Sequence, residues 1–134
     1  MPKMDNAKEE WMDSEILQRQ AFKPGDTIFK DGDEGRMAYI IQAGEVEIIK
    51  QIDDKENILG TIGEGGIFGE MALIDSKPRM ASARAVQATT VICINQQMFE
   101  DKMSEAAPFI RGLLTMFAGS IRELTDNFIR ELKT

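Results

Sequence analysis

The sequence predicts an α+β domain: an antiparallel β-sandwich or jelly-roll barrel with a short N-terminal helix, a short helix inserted late in the sheets, and two C-terminal helices. Three observations carry that prediction. From Phe22 to Ile94, short apolar and β-branched runs are separated by glycine turns about every eight to twelve residues, the spacing of sandwiches and barrels. After Asn95 the pattern changes to helical periodicity. The chain of 134 residues is also long enough to bury a core without disulfides or structural metal. We read residues 1–134 as one domain, divided into an N-terminal helical segment (1–21), a β-roll (22–94) and C-terminal helices (95–134).

Each element has a local reason. Glu9 to Gln20 reads as a short helix, with Trp11 packing it onto the domain. Thr27-Ile28-Phe29 is a strand that ends in the turn Lys30-Asp31-Gly32-Asp33. Met37 to Gln42 is a second strand, stopped by Ala43-Gly44, and Val46 to Ile49 is a third. An acidic loop, Asp53 to Asn57, leads to a strand at Ile58 to Ile62, and Ser82 to Val86 and Thr90 to Ile94 supply two more. Asn95 caps a helix running to Ala107, and Pro108 suits the first turn of another that extends to Leu132. In this last helix Ile110, Leu114, Phe117, Ile121, Leu124 and Phe128 recur at steps of four and three, the seam of a helix lying along another helix.

Composition removes several function classes. Net charge is -7, which opposes nonspecific binding to nucleic acid or anionic membrane. No apolar run approaches the roughly 20 residues of a membrane span, and the charged opening residues are not a signal peptide. With a single cysteine, Cys93, no intramolecular disulfide is available, so the expected compartment is cytoplasmic. The chain has no histidine, the commonest general base and metal ligand. Asp31-Gly-Asp-Glu-Gly begins like a calcium loop but places Gly35 and Arg36 where the pattern needs a ligand and a glycine, so it reads as a turn. Arg84 reads as a solvent-facing strand residue. We assign no catalytic residue, metal ligand or cofactor.

The chemistry gathers between Gly63 and Ala85. Four glycines fall in the seven positions Gly63 to Gly69, followed by Glu70-Met71-Ala72-Leu73, which opens a short helix. The first N–H groups of a helix lack internal partners and attract anions, and Gly69 lets backbone approach a ligand closely. Arg79 offers a planar, permanently charged fork matched to phosphate oxygens, and the N–H groups of Met80 and Ala81 follow it. Glu70 would repel a phosphate unless the same ligand also donates a hydroxyl. A sugar phosphate meets both conditions, with a ribose 2′-OH on Glu70 and the phosphate on Arg79. Residue types alone leave a second possibility, an ordinary Glu70–Arg79 ion pair on a surface loop.

The segments Phe68-Gly-Glu-Met-Ala-Leu-Ile and Pro78-Arg-Met-Ala-Ser-Ala resemble the phosphate-binding cassette of the cyclic-nucleotide-binding domain family. Phe22-Lys-Pro-Gly-Asp-Thr-Ile-Phe, Gly32-Asp-Glu-Gly and Tyr39-Ile-Ile-Gln-Ala-Gly-Glu-Val-Glu-Ile resemble the family's first strands and turns, in order. The likeness covers roughly Phe22 to Phe99. It implies that Gly69 and Glu70 hold the ribose, with Met71 beside them. It further implies that Ala72 and Ala81 donate backbone N–H groups to the cyclic phosphate, that Arg79 pairs with its oxygens, and that Ser82 assists. Ile62 and Phe68 would wall the sugar and base, while Thr125 and Asp126 lie where some members contact adenine across a dimer. Members that accept cGMP often carry Ser or Thr after the arginine; Met80 has no donor there, which tilts the expectation to cAMP over cGMP.

The expected function is therefore a cyclic-nucleotide sensor that signals through its C-terminal helices, either alone on a separate effector protein or as a piece of a larger protein such as a channel. A homodimer through the last helix is the expected self-association, with no direct DNA or membrane contact. The alternative is a module that keeps the fold, dimerises and binds nothing. An enzyme on a similar barrel, such as a cupin, would lean on histidines that this chain lacks.

Overall fold

The computed structural model describes residues 18–133. Its strands are β1 (Gln18–Phe22), β2 (Thr27–Phe29), β3 (Met37–Ala43), β4 (Val46–Ile52), β5 (Lys55–Ile62), β6 (Ile67–Phe68), β7 (Ser82–Ala85) and β8 (Thr89–Asn95). The helices are α1 (Glu70–Asp75), α2 (Gln96–Glu105) and α3 (Pro108–Leu132). The strands form two four-stranded antiparallel sheets, ordered β1-β8-β3-β6 and β2-β7-β4-β5, so the expected β-sandwich with a cassette helix and two C-terminal helices is present.

The sandwich interior holds Tyr39, Ile41, Val46, Phe68, Ala83, Val91 and Cys93. Alternation sends Ala38 and Ile40 of β3, and Ile92 and Ile94 of β8, to the opposite face of their sheet. There they pack with Leu73 of α1, and Met98 and Phe99 of α2 lie against the same cluster. Both faces of these two strands are thus covered, which is why Met37 to Ile41 and Val91 to Ile94 read as continuous apolar runs.

Three local readings change. The predicted helix over Glu9 to Gln20 meets strand β1, whose residues Gln18 to Phe22 pair antiparallel with Cys93 to Thr89; the rest of that segment, with Trp11, lies outside the described residues. Nothing in Gln18-Arg-Gln-Ala-Phe favours a strand intrinsically; the open edge of β8 supplies the backbone partners, and pairing overrides propensity. The acidic loop contracts to a two-residue turn, with Asp53 and Asp54 at φ of 52° and 65° and Ile52 paired with Lys55. Positive φ at both turn residues is the hairpin geometry that suits twisted strands, and aspartate tolerates it. β6 is a two-residue strand that pairs Ile67 and Phe68 with β3, too short to show a period.

The helix signals are present as structure. Asn95 Oδ1 accepts from the Met98 N–H at 2.8 Å, capping α2, and Pro108 sits in the first turn of α3. The seam of α3 does not face its own domain: Ile110, Phe117, Ile121, Leu124 and Phe128 are exposed, Leu124 by 68%. The helix docks instead through Ala118, Arg122 and Ile129, with Thr125 half-buried between them.

Candidate functional site

The chain leaves β6 through Gly69, whose φ of 78° lets it close the turn and cap α1 without a side-chain bond. Ser76 ends α1 at φ 56°, and the irregular segment that follows, ahead of β7, returns past the loop between β2 and β3. Arg79 is clipped there by its backbone: its N–H donates to Asp33 O at 2.8 Å, and its carbonyl accepts from the Gly32 N–H at 2.8 Å.

The Arg79 side chain is 7% exposed. Its Nη1 donates to Gly69 O at 2.7 Å and its Nη2 to Met37 O at 2.6 Å, and the guanidinium stands 4.0 Å over the Phe29 ring. Phe29 belongs to an aromatic cluster with Tyr39 and Phe68. Among the described residues no carboxylate pairs with Arg79, and its buried Nε–H has no hydrogen-bond acceptor. The simple surface ion pair between Glu70 and Arg79 is therefore absent. Burial draws the Arg79 guanidinium below its ordinary value, while Tyr39, Asp33 and Glu70 act in the other direction. Burial also pushes the Glu70 carboxyl up, against the pull of its own backbone N–H and of Arg79.

These groups line an open cleft of about 170 Å³. Of the residues singled out in the sequence, Ile62, Phe68, Gly69, Glu70, Met71, Ala72, Arg79, Met80 and Ala81 line it. Three others lie elsewhere, among them Asp126, exposed on α3. Ser82 Oγ accepts from the Asp31 N–H at 2.9 Å on the far side of the strand, and Thr125 Oγ1 donates to Ile121 O within its own helix. The structure adds Ile67, next to Phe68 in β6, and Phe29, Ile48 and Arg122, which come from other elements and share no contiguous motif with the cassette.

Arg122 fastens α3 to α1. Its Nε and Nη2 grip both oxygens of Asp75, the second at 3.0 Å, and both side chains are about nine-tenths buried. Burial by itself would raise the Asp75 carboxyl, but hydrogen bonds from Arg122 and from the Lys77 N–H outweigh it and hold the group below its ordinary range. Arg84, by contrast, belongs to the outer sheet surface, where it bridges Glu47 and Glu56 across β4 and β5. Among the described residues, no group of three or more acidic or cysteine side chains could hold a metal ion, and no helix is long and apolar enough to cross a membrane.

Fold and cleft together have the form of a binding module: a sandwich in which the start of the inserted helix brings a carboxylate, and the segment after that helix a buried cation, to one apolar hollow. The sequence profile of the cyclic nucleotide-binding domain matches residues 19–106, and the chain belongs to that family. It is 41% identical over 121 residues to a cAMP-dependent protein kinase regulatory subunit of Debaryomyces hansenii, covering 89% of this chain and 24% of that protein. It is 29% identical over 112 residues to a CRP-like cAMP-activated global transcriptional regulator of Mycobacterium tuberculosis, covering 83% and 50%. The cAMP-bound form of the EAL enzyme Bd1971 superposes with a TM-score of 0.78 at 33% identity, over 85% of this chain and 30% of that one. Its cGMP-bound form gives 0.73 at 36% identity, over 78% and 28%. The chain thus spans half or less of the length of these relatives.

Proposed function

We propose that this chain is a regulatory, non-catalytic module that binds a cyclic nucleotide, cAMP in preference to cGMP, and transmits binding through its C-terminal helices. The observation that carries this reading is the buried Arg79 guanidinium, held by two carbonyls with its Nε–H unsatisfied and, among the described residues, no counterion. A buried charge in that condition is costly, and an arriving phosphate relieves it. Glu70, raised by burial, accepts from the ribose 2′-OH; Gly69 and Met71 flank it, and Ala72 and Ala81 bring their N–H groups to the phosphate. Ile62, Phe68 and Met80 form the apolar walls. The cleft is smaller than the roughly 300 Å³ at which small-molecule pockets begin and is open on one side, so an ordered nucleotide needs a further cover. Arg122, which lines the cleft and ties α3 to α1, makes α3 the element through which closure is felt.

Titration calorimetry with both nucleotides tests the proposal. The expected result is saturable binding of each, tighter for cAMP because Met80 offers guanine no donor. Tighter cGMP binding would overturn the preference, and no heat with either nucleotide at millimolar concentration would overturn the function.

The exposed seam of α3 favours a second activity, self-association through Phe117, Ile121, Leu124 and Phe128. A homodimer at micromolar concentration, broken by Leu124→Glu, is the expected result on a sizing column. An acidic, dimeric sensor of this kind acts in the cytoplasm on an effector protein rather than on DNA.

A further inference from the structure

Arg79 keeps its place without a carboxylate, so something else must hold it. Its guanidinium occupies a slot whose walls come from separate segments: the Phe29 ring on β2, Gly35 in the loop before β3, and Gly69 ahead of α1. A Cβ built on Gly35 would lie 2.7 Å from both Cζ and Nε of Arg79, and 2.5 Å from the Cβ of Ala72. Contacts that short force a shift: the guanidinium, the far end of a flexible side chain, gives way, while the Cβ of Ala72 is fixed to α1 and adds a clash that does not depend on Arg79. Gly35 is not among the residues with positive φ, so contact alone, not backbone conformation, excludes a side chain there. Gly69 also touches the guanidinium, with a virtual Cβ 2.8 Å from Nη1, but its φ of 78° mixes two causes.

We infer that Gly35 and Phe29 are positioning residues for Arg79: together they form the slot that fixes its guanidinium before an anion arrives. The ring supplies the attraction a counterion would otherwise supply, since a cation over an aromatic face gains more when water is excluded. The missing side chain at Gly35 supplies the width. Fixing the fork in advance removes the ordering cost from the binding step. The role assigned to these residues in binding rests on the cyclic-nucleotide reading above; the slot itself does not.

The test uses Gly35→Ala, Phe29→Leu, Arg79→Lys and the double variant Gly35→Ala/Arg79→Lys, with two measurements. The first is the NMR signal of the Arg79 Nε–H in ligand-free protein. In the wild type it is displaced by the Phe29 ring current, and it returns toward the random-coil position in Phe29→Leu and shifts in Gly35→Ala. The second is cAMP affinity by calorimetry. Gly35→Ala weakens binding about 100-fold, the scale of a one-ångström misplacement, and Phe29→Leu about tenfold. In the Arg79→Lys background, Gly35→Ala costs about tenfold less than in the wild type, because lysine does not fill the slot and only the clash with Ala72 remains. A general packing role for Gly35 would give the same loss in both backgrounds and would overturn the inference. So would unchanged affinity in Gly35→Ala, or a random-coil Nε–H signal in the wild type. If Gly35→Ala fails to fold, Phe29→Leu decides by both measurements. If the wild type binds neither nucleotide, the proposed function falls while the Nε–H signals still decide the slot.

Discussion

Two buried arginines stand near opposite ends of α1 and are held in opposite ways. Arg122, 8% exposed, grips both oxygens of Asp75. Arg79, 7% exposed, has two carbonyls, an aromatic face and no carboxylate. Equal burial with unequal pairing separates two uses of one residue type. A buried charge that carries its own counterion joins elements of the fold, whereas one left without a counterion keeps its field for a ligand. Position along the chain would not have told them apart, because both are single basic residues in mixed surroundings.

The largest effect expected from this contrast is on binding. Arg79→Glu places a like charge beside the phosphate and removes at least about 4 kcal/mol of cAMP binding, roughly a thousandfold in Kd by calorimetry, with circular dichroism unchanged. The matched pair Arg79→Met and Arg122→Met then separates the two arginines by stability. Arg122→Met strands the buried Asp75 carboxylate and loosens the docking of α3 by about 3 kcal/mol, read as faster amide exchange along that helix. Arg79→Met removes a buried charge that no described carboxylate offsets; that relief balances the two hydrogen bonds lost to the Gly69 and Met37 carbonyls and leaves the unfolding free energy within about 1 kcal/mol of wild type. Equal destabilisation by the two would break the contrast.

Acid separates the two ends of α1 again. Glu70 sits above its ordinary value of 4.5, so it loses its charge, the one proposed to accept the ribose hydroxyl, at a pH higher than an exposed glutamate would. Affinity for cAMP therefore declines on acidification before the ordinary carboxylate range is reached, and Glu70→Gln flattens that decline at a lower overall affinity. For folding the sign is opposite: protonated Glu70 favours the folded state at low pH, and that preference is lost as pH rises through its raised value. Asp75 is held below its ordinary value of 3.8, so its contribution to docking is present above that value and is lost only as pH falls beneath it. Binding should fail first and helix docking later, seen by calorimetry and by exchange over one titration. The smallest effect concerns neither arginine. Asn95→Ala removes the cap on α2 and costs about 1 kcal/mol in thermal unfolding, with cAMP affinity unchanged.

The cassette was legible because it is nearly contiguous: Gly69 to Ala81 carries its turn, helix start, arginine and strand entry within a few residues of one another. The remaining contributors were not. Phe29, Ile48 and Arg122 reach the cleft from three other elements, and none has a residue type that marks a ligand site by itself. The last helix shows what a pattern leaves open. Apart from half-buried Leu114 its apolar heptad faces solvent, while the stripe that docks is Ala118, Arg122, Thr125 and Ile129, a mixture that no hydrophobic period would select.

By itself, the sequence determined the class of fold, the succession of its strands after β1 apart from β6, the helix starts at Asn95 and Pro108, and the family, because turns, caps and alternation are encoded by neighbours within a few residues. Tertiary structure decided the rest: that Gln18 to Phe22 is a strand, that Arg79 has no carboxylate partner, and that Arg122 has one. The reason is physical. Whether an edge finds a ladder, a cation finds a counterion or a guanidinium finds a slot depends on groups brought together from distant parts of the chain, and no local pattern records which of them meet.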